Sequence, residues 1–143
     1  MTIRRWCFGF TLIELMVCVA IMALLVSLAY PSYQQYVIRA NRAAAQQFLM
    51  DAASVQHQYL LANNGEGYAS ETVLYGATGN GCNSSGGLIS VPSRVCDFYT
   101  VRNISSGSSA TFIVQAIPST GKMQNGDGTL EVHHDGEKVG TWE

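Results

Sequence analysis

A chain of 143 residues with a net charge of −2 has room for one small domain and one long element. Charged residues make up 13% and hydrophobic ones 48%, against about 25% charged in ordinary soluble domains, and the apolar share is piled into the first thirty positions. The chain therefore reads as an anchor followed by a polar, Gly/Ser-rich domain; it carries no nucleophile elbow, P-loop or dinucleotide fingerprint, and it is not read as an enzyme.

A short basic leader comes first, with Arg4 and Arg5 ahead of Cys7 and Gly9. Phe10 to Tyr30 then runs FTLIELMVCVAIMALLVSLAY with Glu14 as its one charge. As a helix this stretch is about 31 Å long, matching a hydrocarbon core of about 30 Å. No comparable basic cluster follows closely, so the positive-inside rule places Met1 in the cytoplasm and the C-terminal domain across the membrane. A secretory signal would have a shorter apolar core and a small-x-small site after it. Here the clean small residue at a boundary is Gly9, on the cytoplasmic side.

Glu14 is the anomaly. A carboxylate inside a membrane helix costs about 2.5–3.5 kcal/mol near the centre and less near the end, so it usually has a partner. No Lys, Arg or His lies between Phe10 and Tyr36. Cleavage after Gly9 creates the missing cation, the α-amine of Phe10, four residues from Glu14 and within reach of a neighbouring chain. The bland alternative is an interfacial Glu in a plain signal anchor.

Gly9-Phe10-Thr11-Leu12-Ile13-Glu14, followed by an apolar run and Pro31, resembles the class III signal of type IV pilins. The resemblance implies a prepilin peptidase that cuts after Gly9 and methylates the amine of Phe10. It also implies that Thr11 and Glu14 serve subunit recruitment and register, with inner-membrane assembly machinery and other pilins of a helical filament as partners. Lipid surrounds the helix before assembly. Localisation follows: inner membrane, single-pass, then an extracellular pilus or periplasmic filament.

Pro31 lacks an N–H and clashes with the preceding turn, so a kink or local opening is expected there; assembled fibres of the family are often melted in this region. Beyond it, Val37, Ala40, Ala44, Phe48, Ala52, Val55 and Tyr59 recur at steps of three or four, one apolar stripe of an amphipathic helix that ends near Leu61 before Asn63-Asn64-Gly65. Arg39, Arg42 and Asp51 take other faces. The segment from Pro31 to about Ala62 is also similar to PilE-type minor pilins, and the likeness continues loosely through the rest of the chain.

Residues 63–97 are Gly/Ser/Asn-rich and read as a long loop over the helix. Cys82 and Cys96 lie 14 residues apart in it, without zinc-type spacing. Outside the cytoplasm they form a natural disulfide worth about 3 kcal/mol by loop-closure entropy; two free thiols are the alternative. Phe98–Ile104, Ala110–Ile117, Thr129–His134 and Lys138–Trp142 read as strands, the last pair joined at Asp135-Gly136 by a two-residue hairpin signal. The expected fold is α+β, a pilin lollipop: a long helix, half membrane-spanning and half amphipathic, on an antiparallel sheet of three or four strands. Its sections are leader 1–9, assembly helix 10–30, amphipathic helix 31–62, loop 63–97 and sheet 98–143. One departure stands out. Many pilins close the C-terminal region with two cysteines, whereas the corresponding neighbourhoods here read Gly126-Asp127-Gly128 and Gly140-Thr141-Trp142.

His133 and His134 are adjacent on a strand and point to opposite faces, so they are taken as a solvated strand end. Asn125 to Gly128 lacks a 12-residue EF-hand pattern and is taken as a turn. No cofactor or metal is expected. Loss of the leader removes two of the eight basic side chains against ten acidic ones. A mature chain of that charge has no general attraction for nucleic acid, which needs clustered Lys and Arg. The function expected is structural: a type IV pilus subunit of the PilE-type minor class, for assembly, twitching motility, adhesion or DNA uptake. A major pilin, a type II secretion pseudopilin and, against the acidic head, a DNA-binding uptake pilin stay open.

Overall fold

A computed structural model describes residues 10–76, 82, 86–105 and 110–142. They fall into two units, one reaching Val37 and one starting at Ile38. Helix α1 spans Leu12–Ala62 without a break in its assignment, Pro31 included. The opening expected at Pro31 is thus not part of this subunit's helix. Asn64 and Gly65 end α1: both have positive φ, and the Gly65 N–H donates back to the Leu60 carbonyl at 2.8 Å, a left-handed C-terminal cap.

In the second unit the sheet is a meander in the order β1-β2-β3-β4, all antiparallel: Tyr99–Ile104, Ile113–Pro118, Leu130–His133 and Lys138–Val139. Val101 faces Ala116, and Ala116 faces Leu130, so one face of each strand lines the core. Against it lie Ala45, Phe48, Leu49 and Ala52 of α1, all buried. This is the expected α+β arrangement, with four strands.

The buried face of α1 is Asn41, Ala45, Phe48, Leu49, Ala52, Ala53 and Gln56, rotated from the apolar stripe so that Val55 and Tyr59 only flank the core. Of its polar members, Gln56 finds partners for both amide atoms and Asn41 for its Oδ1. Gln56 donates to Ala69 O at 2.9 Å and accepts from Ala69 N at 2.8 Å, a two-bond clasp on a loop peptide. The segment read as plain loop contains two short helices, α2 (Glu71–Tyr75) and α3 (Ser93–Phe98), which bury Leu74, Tyr75 and Val95. Gly87 lies so close to the backbone of Leu74 and Tyr75 that a Cβ has no room. The Cys82–Cys96 disulfide is formed, with Cα atoms 5.6 Å apart.

The β3–β4 turn also differs in detail. His133 N donates to Glu137 O (2.9 Å) and Gly136 N to His133 O (3.0 Å). The loop therefore has three residues, His134-Asp135-Gly136, with Gly136 at positive φ, the alternative hairpin that carries a left-handed residue at its end.

Candidate functional site

The first unit is an apolar surface that no described residue covers. Every residue from Phe10 to Tyr33 is exposed, and the most apolar 18-residue window of α1 has a mean hydropathy of 2.7 with none of it buried. By length and composition this helix is able to cross a membrane. Thr11 Oγ1 accepts the Glu14 N–H at 3.3 Å, the bond of an N-cap residue to the third residue of its helix. Thr11 thus fixes where the helix starts, one residue after Phe10. The Glu14 carboxylate has no ion-pair partner among the described residues. A negative side chain in the first turn suits the helix dipole, but that alone leaves a carboxylate unpaired in oil. Cys18 is exposed with a free thiol. Gly9 and the leader lie outside the described residues, so the cleavage site is carried by the sequence alone.

The second unit holds a polar knot that the sequence reading missed. Asp127, in the Gly-rich turn after β2, pairs with the Arg42 guanidinium of α1. Its Oδ2 also accepts from Arg42 Nε (3.1 Å), from the Tyr99 hydroxyl (2.7 Å) and from Gln124 Nε2 (3.2 Å). Gln124, fully buried, further donates to the Tyr99 oxygen at 2.9 Å and to Ile38 O at 3.1 Å. Burial raises the Tyr99 pKa, while the Gln124 hydrogen bond and the Arg42 charge pull it back. Thr141 extends the knot by donating to Asp127 O, and Gln46 donates to Thr141 O. A charged pair and a set of hydrogen bonds thus fasten the turn at Asp127 and the stretch at Thr141 to α1. Arg42 and Asp127 are 85 positions apart, and no local signal connects them.

Of the residues singled out in the sequence, Phe10, Thr11 and Glu14 cluster at the start of α1, while Pro31 and the disulfide are separate features. A long apolar helix with this N-terminal signature, its second half packed on a four-stranded antiparallel sheet, defines a type IV pilin. Residues 7–30 match the prokaryotic N-terminal methylation motif. Residues 31–131 match the family described as type IV minor pilin ComP, DNA uptake sequence receptor; the chain belongs to that family and is a type IV minor pilin. Motif and family together imply processing by prepilin peptidase and assembly with other pilins. The apolar helix fits membrane anchoring before assembly and residence in a pilus afterwards.

Proposed function

We propose that this minor pilin enters a type IV pilus through Phe10–Tyr30 and serves DNA uptake there as a DNA receptor. Arg4 and Arg5 hold the leader in the cytoplasm, prepilin peptidase cuts after Gly9 and methylates Phe10, and the new amine meets Glu14 of a neighbouring subunit. The DNA role rests on one observation: the match to a family described as a DNA uptake sequence receptor takes in α1 from Pro31 and the sheet as far as β3.

The chain's charge limits how such binding works. Arg42 is neutralised by Asp127. Arg39, Arg94, Arg102, Lys122 and Lys138 are exposed, and Arg94, hydrogen-bonded to the neutral Asn41 Oδ1 at 3.0 Å, keeps its charge. Each phosphate neutralised contributes about −0.9 to the slope of log K against log salt, so with five exposed cations a slope no steeper than about −4.5 is expected. Contacts to base edges must then carry much of the affinity. The test is fluorescence anisotropy on the full mature chain in detergent micelles, with duplex fragments of the host genome and unrelated duplexes of equal length. Preference for host fragments with that shallow slope supports the receptor. Absence of binding to either set removes it and leaves a subunit that acts in assembly alone.

A further inference from the structure

We propose that the β3–β4 hairpin carries a site for a divalent transition-metal ion, with His133, Asp135 and Glu137 as ligands. The site lies beyond residue 131, where the family match ends, and is independent of the DNA reading. The three side chains each offer a ligand atom, and these atoms lie within 4.8 Å of one another. Ligands around a bound ion stand about 3–4 Å apart at metal–ligand distances of about 2.0–2.2 Å, so small rotations close the site.

The hairpin loop creates this grouping. Its three residues make His133 and Glu137 direct cross-strand partners, and such partners project from the same face of a sheet. A two-residue loop would have set a different register and separated them. Asp135 sits at the apex, where its Oδ1 accepts the Glu137 N–H at 3.0 Å, which fixes the carboxylate and leaves its second oxygen to a ligand.

In the proposed site Nδ1 of His133 is the ligand, and a metal-bound imidazole usually turns its second nitrogen to a carboxylate. His133 Nε2 lies 3.4 Å from Glu131 Oε2, and Glu131 is itself held by a 2.8 Å hydrogen bond from Gln115 to its other oxygen. Glu131 is therefore a positioning residue. His134, next in the chain, has its N–H tied to Phe112 O and is outside the group. This resolves the objection to a histidine pair: the donors are alternate residues 133, 135 and 137. One imidazole and two carboxylates suit a borderline ion such as Zn²⁺ or Ni²⁺ rather than Cu(I), and three protein ligands leave room for water.

The test is calorimetric titration of zinc chloride into the full mature chain in detergent micelles, with imidazole resonances followed by NMR. One saturable site per chain is expected, with the His133 ring signals moving and those of His134 still. His133→Ala should abolish the site, Glu131→Gln should weaken it about tenfold, and His134→Ala should leave it intact, all with unchanged melting of the metal-free protein. Lack of saturation at millimolar zinc, or equal losses in His133→Ala and His134→Ala, overturns the proposal.

Discussion

The two ends of α1 share a backbone and differ in everything around it. Phe10 to Tyr30 is apolar on all sides and exposed on all sides. Ile38 to Ala62 is apolar along part of one face and buries that part against the sheet. The lower half is a surface stocked for a non-aqueous neighbour, lipid first and other helices later; the upper half already has its partner. Hydrophobic stabilisation follows area removed from water, so in the free subunit only the upper half contributes to folding of the head. The lower half keeps its contribution for the membrane and the filament.

The largest way to break this contrast is at Glu14. Glu14→Val should leave the head's melting temperature unchanged and lower incorporation into sheared fibres by more than about tenfold, since the lost pairing is a charge in oil worth several kcal/mol. Wild-type incorporation would remove the pairing role. Next is a paired comparison within one helix. Phe48→Ala, at 3% exposure, should cost about 3–5 kcal/mol of head stability in denaturant unfolding, whereas Leu24→Ala, at 68% exposure, should cost nothing there. Equal costs would mean that the two halves are not divided as described.

The polar knot gives a smaller effect. Asp127→Asn leaves the Arg42 guanidinium without its counter-charge, and about 2 kcal/mol is expected because Arg42 keeps 22% exposure. Smallest is Tyr75, whose buried hydroxyl has no hydrogen-bond partner among the described residues. Burial and then the Glu71 charge push its pKa up, and burial does the same for Tyr99. Both phenols stay protonated in the fold past the pH at which an unfolded tyrosine ionises, about 10. Their contribution is complete below that pH and is lost as pH climbs through the raised values. Unfolding curves from pH 8 to 12 should show this loss, and Tyr75→Phe should reduce it at little or no cost at neutral pH.

Much of this was legible in the chain. The anchor announces itself by 21 nearly uncharged residues, and Glu14 by being the one charge among them. Strand positions followed from β-branched and aromatic runs, and the disulfide from two cysteines in a polar, extracytoplasmic stretch. What stayed hidden depends on tertiary partners. Asn41 and Gln56 look like surface residues until Arg94 and the Ala69 peptide are seen beside them. Helices α2 and α3, of five and six residues, are too short to show a period. Asp127 sits in a Gly-rich turn that gives no hint of an arginine on a helix far upstream. The hairpin was visible in Asp135-Gly136, but the loop length that groups His133 with Glu137 was not.

The central claim is that a lone carboxylate in the assembly helix is answered by an amine that exists only after processing. Its most direct test is the intact mass and N-terminal sequence of the protein recovered from sheared fibres. A chain beginning at methylated Phe10 is predicted; fibre-borne protein that still carries Gly9, or that begins at any residue after Phe10, would contradict it.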